Sequence, residues 1–150
     1  MSLWKISYTS IAALPEETTN AVALAISALS AQHNALHGIT GVLTLYEGQF
    51  AQVIEGPETT LRLLMARIIA DLRHHTIVNL FDGPIAKRRY AEWSMAFRDP
   101  KAFIADQLDE VLEQTSEVTR ALRATRHCAL PPPPANSAAG HKQEFPWLAD

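Results

Sequence analysis

Residues 38–58, GITGVLTLYEGQFAQVIEGPE, contain two short apolar runs on either side of a Glu-Gly dipeptide. The runs at residues 39–46 and 50–54 predict two strands, and Glu47-Gly48 between them predicts a tight hairpin turn. Gly56-Pro57-Glu58 predicts the end of the second strand and the start of a helix, because proline suits the first helical turn. The centre of the predicted fold is therefore a β-hairpin that leads directly into a helix.

The segments outside the hairpin continue this alternation of strands and helices. Residues 3–10 alternate between polar and apolar side chains, which predicts a strand. Acidic residues follow Pro15, and an apolar stripe at helical spacing then continues until Gly38, which predicts a helix with its acids near the positive end. The helix after Pro57 has a predicted core face of Leu61, Leu64, Met65 and Ile68.

Two more strands are predicted at residues 76–81 and 93–98, with a break at 82–84. The order β-α-β-β-α-β with a further strand is typical of the ferredoxin-like arrangement. The predicted fold class is therefore α+β, with a five-stranded mixed sheet and two helices on one face. A C-terminal helix at residues 106–126 is predicted to cover the other face with an apolar stripe made of Leu108, Val111, Leu112, Val118 and Leu122.

The composition is that of an ordinary globular protein of 150 residues with a net charge of −3. This charge argues against nucleic acid or an anionic membrane as the main partner, since no basic patch is available. The single cysteine, Cys128, excludes an internal disulfide framework. We find neither a signal peptide nor an apolar run of roughly 18 residues, so a cytoplasmic protein with no membrane partner is expected.

Polar side chains on apolar faces are the strongest functional signal. Tyr8 shares its strand face with aromatic and aliphatic residues, and Gln52 lies between Phe50 and Ile54 on another strand. Burying an unpaired amide costs roughly 1–3 kcal/mol, so Gln52 should have partners. The helices add further polar side chains, each set along one side: Ser30, His33, Asn34 and His37 after Ile26, and Arg67, Asp71 and His74. A pocket for a planar amphipathic ligand is the predicted result.

Simpler interpretations stand beside this one. A buried Tyr8 and Gln52 can be ordinary core residues with satisfied hydrogen bonds. Arg67 and Asp71 have the spacing of a surface ion pair. The cluster of Asp71, Arg73, His74 and His75 resembles a solvated helix end more than a metal site, and residues 87–89 (Lys-Arg-Arg) resemble a solvated turn. Nucleotide-binding and serine-hydrolase motifs are absent from the sequence.

Five stretches, in order along residues 3–98, resemble the BLUF domain, a family of blue-light sensors that use flavin. They are residues 6–10 (ISYTS), 34–43 (NALHGITGVL), 50–57 (FAQVIEGP), 71–74 (DLRH) and 93–95 (WSM). The resemblance implies a ferredoxin-like sheet that holds a flavin between its two helices. FAD is the flavin expected, with FMN or riboflavin as alternatives.

The resemblance also implies roles for individual residues. Tyr8 and Gln52 match the photoactive pair, with Ser30, Trp93 and Met95 near it. Asn34 matches the side chain that binds the polar edge of the flavin, and Asp71 matches the residue that holds the uracil-like edge of the ring. The implied cofactor-binding set is Tyr8, Ile26, His33, Asn34, Gln52, Arg67, Ile68, Asp71, Arg73 and His74.

The function implied is a blue-light photoreceptor and not an enzyme. In this family light moves an electron and a proton from the tyrosine, and the glutamine changes its hydrogen bonds. Residues 1–100 would form the sensor, residues 101–128 a helical extension and residues 129–150 a proline-rich tail. The signal is expected to pass to an effector protein in trans, and the chain to form a homo-oligomer, a dimer or larger. The alternatives are a degenerate BLUF-like interaction module without flavin and a small ferredoxin-like hydrolase.

Overall fold

Five strands form one mixed sheet in the structure, a computed structural model that describes residues 2–124. In chain order the elements are β1 (Leu3–Ala12), α1 (Glu16–Leu36), β2 (Thr40–Tyr46), β3 (Gln49–Pro57), α2 (Glu58–Ala70), β4 (His74–Pro84), β5 (Ala96–Phe97) and α3 (Pro100–Ala124). The strand order is β4-β1-β3-β2-β5, and all neighbours are antiparallel except β2 and β5. The predicted ferredoxin-like α+β fold is confirmed. The chain divides into two compact units, of which the first ends at Val111 and the second begins at Leu112.

The predicted hairpin joins β2 to β3 through a two-residue turn. Glu47 and Gly48 both have positive φ angles, 47° and 75°, as in a type I′ turn that matches the twist of the strands. Gly41 on β2 is required for a different reason. A Cβ atom at this position would lie 2.1 Å from the carbonyl oxygen of Val53, so any side chain would push β2 away from β3.

One hydrophobic core lies between the sheet and the two helices α1 and α2. Most of its buried side chains come from alternate positions of the strands and from the inner faces of the helices, as the predicted periodicities require, while Ile39 and Met95 lie just before β2 and β5. The buried side chains are those of Ile6, Tyr8, Ala23, Ile39, Leu43, Phe50, Ile54, Leu61, Met65 and Met95. Each large apolar side chain buried here stabilises the fold by about 1.5–3 kcal/mol.

The opposite face of the sheet carries a second, smaller cluster: Val42, Val53, Tyr90 and Phe103. Because Phe103 belongs to α3, the start of that helix covers this face, as predicted. The predicted apolar stripe is wrong, however, since α3 begins at Pro100 and turns Phe103 and Glu110 towards the sheet. The described members of the stripe are exposed instead: Leu108, Val111, Leu112 and Val118.

Two strand boundaries also differ from the prediction. Residues 82–84 are not a break, because they continue β4 and pair with β1 up to Trp4 opposite Pro84. Proline is tolerated there because β4 is an edge strand. Strand β5 has only two residues, and Trp93 precedes it in a loop where its carbonyl oxygen accepts the N–H of Gly41 at 2.8 Å.

The loop between β4 and β5 is anchored by two charged side chains. Arg88 donates to the carbonyl oxygens of Gly38 (2.6 Å) and Glu55 (3.0 Å), so residues 87–89 are not a solvated turn. The Glu55 carboxylate is 1% exposed and accepts the backbone N–H groups of Arg89 (3.0 Å) and Tyr90 (3.1 Å). A buried carboxylate therefore fixes the start of this loop against β3.

Several sequence predictions concern residues 125–150, which lie outside the described residues. They are the end of the helical extension with Cys128, the tail at 129–150, and its proline and aromatic segments. Within residues 2–124, no helix is long and apolar enough to cross a membrane. The same residues contain no group of three His, Cys, Asp or Glu side chains that could hold a metal ion.

We predict that Glu55→Ala lowers the free energy of unfolding by about 3 kcal/mol, because two backbone N–H groups lose a charged acceptor. Chemical denaturation measures this value. Asp109→Ala, an exposed site on α3, is the control and should change it by no more than about 0.5 kcal/mol. Equal stability of the two variants would contradict the role given to Glu55.

Candidate functional site

A cavity of about 190 Å³ lies between the inner face of the sheet and the helices α1 and α2. Strand β1 and the hairpin form its floor, and the facing sides of the helices form its walls. The residues that line it are Tyr8, Ile26, Ser30, Asn34, Leu43, Phe50, Gln52, Leu64, Arg67, Ile68, Asp71, Arg73 and His74. Nine of the ten residues in the predicted cofactor-binding set are brought together here, and His33 is the exception.

The floor of the cavity holds a buried pair, Tyr8 and Gln52. The two residues are directly opposite each other in the antiparallel pairing of β1 and β3, so their side chains point to the same face. The Tyr8 hydroxyl donates a hydrogen bond to the Oε1 atom of Gln52. The partner that the sequence demanded for the Gln52 amide is therefore Tyr8.

The other end of the Gln52 amide faces Met95. Its Nε2 atom donates to the Met95 sulfur at 3.6 Å, and a thioether is a weak acceptor. The amide is thus held strongly on its oxygen side and weakly on its nitrogen side. If the hydrogen bonds of Gln52 rearrange, the bond to the Met95 sulfur is therefore the one that is lost at the lower cost.

Burial and charge both act on the phenol of Tyr8. Burial raises the pKa of Tyr8 well above its ordinary value of 10, and the negative charge of Asp71 raises it further. Both effects disfavour the phenolate. Tyr8 is therefore a neutral hydrogen-bond donor at any physiological pH.

Asn34 presents an unsatisfied acceptor at the cavity. Its Nδ2 atom donates to the backbone carbonyl of Ser94 at 2.8 Å. Its Oδ1 atom is buried and has no hydrogen-bond partner among the described residues, although Asn34 is only 1% exposed. A buried carbonyl oxygen without a partner costs about 1–3 kcal/mol, so a ligand with an N–H or O–H donor would satisfy it.

The rim of the cavity carries Asp71 and two arginines. Arg73 donates hydrogen bonds to the Asp71 carboxylate from its guanidinium and from its backbone N–H, and these bonds lower the pKa of the Asp71 carboxyl. The alternative interpretation of Arg67 and Asp71 as a surface ion pair is not what the structure displays: Arg67 lies 3.1 Å from the Nε2 atom of His33, and Asp71 pairs with Arg73. His33 stacks on His37 at 4.2 Å and contacts Arg67 at the rim.

His74 is bonded within the protein through both ring nitrogens. Its Nδ1 atom lies 2.7 Å from the hydroxyl of Ser10, and its Nε2 atom faces the carbonyl oxygen of Ile68. Since a carbonyl can only accept, Nε2 carries a proton. The ring centroid lies 6.4 Å from those of Tyr8 and Phe50, so the His74 ring is held by contacts within the protein on its nitrogens and beside its aromatic neighbours.

The three remaining residues of the predicted photoactive set lie at different places. Ser30 lines the cavity, and Met95 contacts Gln52 from the opposite side. Trp93 is 39% exposed, and its ring stacks on Tyr90 at 6.1 Å and lies under the guanidinium of Arg98 at 5.1 Å.

The site predicted from the sequence did not include three apolar residues that line the cavity: Leu43, Phe50 and Leu64. Leu43 pairs with Gln52 across β2 and β3, and Phe50 precedes Gln52 by one strand period. Strand alternation around Gln52 was therefore a sufficient signal for two of them.

Comparison with known proteins places this site in a family. The profile of the family described as BLUF, sensors of blue-light using FAD, matches residues 3–96. The chain belongs to the BLUF family. The matched BLUF region includes the whole sheet up to the first residue of β5, both helices of the cavity and all of its lining residues.

Individual BLUF proteins agree with the family match. Photoactivated adenylate cyclase subunit beta of Euglena longa is 33% identical over 94 residues, which cover 63% of this chain and only 11% of that protein. The dark-state structure of BlrB, a BLUF protein, is 31% identical with a TM-score of 0.61, covering 83% of this chain and 98% of BlrB. Klebsiella pneumoniae BlrP1 with FMN and cyclic diGMP is 31% identical with a TM-score of 0.61, covering 74% of this chain and 30% of BlrP1.

We predict that Tyr8 stays protonated where an ordinary tyrosine, with a pKa of about 10, is half ionised. In a titration followed by phenolate absorbance, Tyr8→Phe should therefore remove no step centred near pH 10. The pKa of Tyr8 is higher in the folded chain than in the unfolded chain. The neutral Tyr8 phenol therefore contributes to the stability of the fold below about pH 10, and this contribution is lost as the pH rises further. A step near pH 10 that disappears in Tyr8→Phe would contradict the effect of burial on this phenol.

Proposed function

We propose that this chain is a blue-light photoreceptor that binds a flavin non-covalently in the cavity between α1 and α2. The observation that carries the proposal is the buried Tyr8–Gln52 hydrogen bond at the floor of a cavity whose wall contains the unsatisfied Oδ1 atom of Asn34. The chain's membership of a family of blue-light sensors supports the same function.

The cavity has the chemistry that a flavin ring requires. Its apolar walls suit a flat aromatic system, and the Asn34 Oδ1 atom can accept the imide N–H at the polar edge of the ring. Its volume of about 190 Å³ is below the roughly 300–1,000 Å³ of pockets that enclose a whole drug-sized ligand, so only the ring of the flavin is proposed to enter it, with any nucleotide tail outside. FAD is the flavin that the family description names, and FMN is present in the structure of BlrP1.

Tyr8 and Gln52 have separate roles in the proposed photochemistry. A bound flavin supplies blue-light absorption and an acceptor for an electron and a proton. Tyr8 is the proposed donor of both, because a neutral phenol still carries its proton. The hydrogen bond from its hydroxyl to Gln52 gives that proton a defined direction of departure.

Gln52 is the proposed relay because its amide has an acceptor on one side and donors on the other. Exchanging the two ends of the amide would place Nε2 towards Tyr8 and Oε1 towards the Met95 sulfur. Oxygen and sulfur are both acceptors, so the bond to Met95 would be lost. The backbone of β3 would not need to move.

A visible absorption spectrum of the purified protein tests the proposal. The expected result is a flavin spectrum that shifts to longer wavelength after blue light and returns in the dark. A colourless protein that FAD, FMN and riboflavin all fail to reconstitute would overturn it. That outcome would favour the alternative, a BLUF-like interaction module without flavin.

We predict that Tyr8→Phe and Gln52→Ala each bind flavin but lose the light-induced shift, since each removes one partner of the buried hydrogen bond. Light-minus-dark absorption spectra measure the shift. Tyr46→Phe, which changes an exposed tyrosine on β2, is the matched control and should keep the shift. A normal shift in Tyr8→Phe would contradict the donor role of Tyr8.

The proposed output is a change in protein contacts. In this proposal residues 1–100 sense light in the cytoplasm, and the described part of α3 provides the contact. Exposed apolar side chains on α3, with Leu108 54% exposed, support self-association into a dimer or larger assembly that also meets an effector protein in trans. The exposed side chains of the first compact unit that support this contact are Ile104 and Leu108.

We predict that Leu108→Glu makes the protein monomeric, because a charge in the apolar contact would have to be desolvated. Light scattering coupled to size-exclusion chromatography measures the mass. Asp109→Ala, at the next position on the same helix, should leave the mass unchanged. A wild-type monomer, or a Leu108→Glu variant with the wild-type mass, would contradict self-association through this helix.

A further inference from the structure

The loop that carries Trp93 and Met95 is fixed at its start, before it reaches the cavity. The carboxylate of Glu55 holds the backbone N–H groups of Arg89 and Tyr90. Three further contacts tie the middle of the loop to β2, α1 and β3: the Trp93 carbonyl to Gly41, the Ser94 carbonyl to Asn34 and the Met95 sulfur to Gln52. A change at Gln52 or Asn34 therefore acts first on residues 93–95.

The indole of Trp93 connects these residues to α3 through two neighbours. Tyr90 stacks on the indole at 6.1 Å, and its hydroxyl accepts a hydrogen bond from Gln107 of α3 at 2.8 Å. The guanidinium of Arg98 lies over the indole at 5.1 Å and donates two hydrogen bonds, at 3.0 and 3.1 Å, to the carboxylate of Asp106 on α3. Two successive residues of α3 are thus tied to the surroundings of one aromatic ring.

Of the two neighbours, Arg98 is the one with room to follow a movement of Trp93. Tyr90 is buried, and its backbone N–H donates to the buried carboxylate of Glu55. Arg98 follows the two-residue strand β5, where its backbone N–H donates to the carbonyl of Leu43 at 2.8 Å, and its side chain is 33% exposed. Short elements with few backbone hydrogen bonds open at low free-energy cost.

The chemistry of arginine suits a connection of this kind. Its planar guanidinium can lie on an aromatic face and at the same time donate to both oxygens of a carboxylate. Arg98 does both, and the pairing with Asp106 raises its pKa further, so the charge is permanent. A shift of the indole by a fraction of its width would therefore pull on Asp106.

We propose that Arg98 is a positioning residue that couples Trp93 to α3, so that a displacement of residues 93–95 at the cavity moves the start of that helix. The inference rests on the proposed photoreceptor function and names its route of output. Arg98 does not line the cavity, so the spectrum of a bound flavin should not depend on it.

A second contact between the sheet and α3 is less suited to carry a signal. Lys5 on β1 pairs with Glu110 and lies over the ring of Phe81. Strand β1 is held by β3 along one edge and by β4 along the other, so Lys5 sits on an interior strand of the sheet. This pair attaches α3 to the sheet and gives the helix a fixed point.

The chain contains a matched control for Arg98. Arg62 lies over the indole of Trp4 at 5.7 Å and donates two hydrogen bonds to Asp82, the same combination of ring and carboxylate. These contacts join α2 to β1 and β4 and involve no residue of α3. Arg62→Ala therefore removes the same kind of interaction without touching the proposed route.

Hydrogen–deuterium exchange of residues 100–111, in darkness and under blue light, tests the coupling in the full-length protein with its flavin. Wild type should show a light-dependent difference in these residues. Arg98→Ala should lose that difference and keep the red shift of the flavin, whereas Arg62→Ala should keep both. Asp106→Asn is the second variant, to be used if Arg98→Ala does not fold. It leaves Arg98 on the indole but weakens the bond between Arg98 and α3, so it should also lose the light-dependent difference and keep the red shift.

The outcomes separate this inference from the function beneath it. If Arg98→Ala or Asp106→Asn keeps the same light-dependent difference in exchange of residues 100–111 as wild type, the coupling alone is overturned. A wild type that shows the red shift with no difference in α3, or an Arg98→Ala variant that binds flavin without the shift, would also overturn it. A wild-type protein with no red shift would overturn the proposed function, and the coupling with it.

Discussion

The hydrogen bond between the Tyr8 hydroxyl and the Gln52 side chain is the interaction on which the rest of the site depends. Two polar groups are buried in an apolar layer, and each satisfies the other, so neither can be removed without leaving its partner unpaired. Their meeting requires β1 and β3 to be neighbours in one exact register, since a shift of one residue would turn either side chain to the other face. The cavity opens directly above this pair.

The loop before β5 gives that pair a way to act on the rest of the molecule. Met95 takes the weaker side of the Gln52 amide, and Asn34 holds the neighbouring carbonyl of Ser94 while leaving its own oxygen for a ligand. The same short segment is therefore in contact with both the Tyr8–Gln52 pair and the Asn34 side chain. Buried Glu55 fixes where the segment begins, which makes its middle the part that can respond.

Sequence periodicity was enough for the elements that bury one face. Alternation, helical spacing and Gly48 predict the strands that carry Tyr8 and Gln52, the two helices and the hairpin turn. These features are local, because each depends on spacing within one segment. The cofactor-binding set as a whole was instead implied by the resemblance to the BLUF family, and it did not contain Leu43, Phe50 or Leu64.

The features that the sequence did not reveal depend on contacts between distant segments. Residues 82–84 look like a break but extend β4 because β1 offers them partners. Arg88 looks like a solvated residue but binds carbonyl oxygens of Gly38 and Glu55. Leu108 looked buried because its helix was expected to turn that side to the sheet, whereas Phe103 and Glu110 occupy that side.

The infrared difference spectrum between the illuminated and dark protein tests the central claim most directly, with the side-chain carbonyl of glutamine labelled with ¹³C. The account predicts a light-induced change in a glutamine carbonyl band, because the Gln52 oxygen loses its hydrogen bond from Tyr8. That band should be absent from Gln52→Ala. A flavin that responds to light in wild-type protein with no change in any glutamine carbonyl band would contradict it.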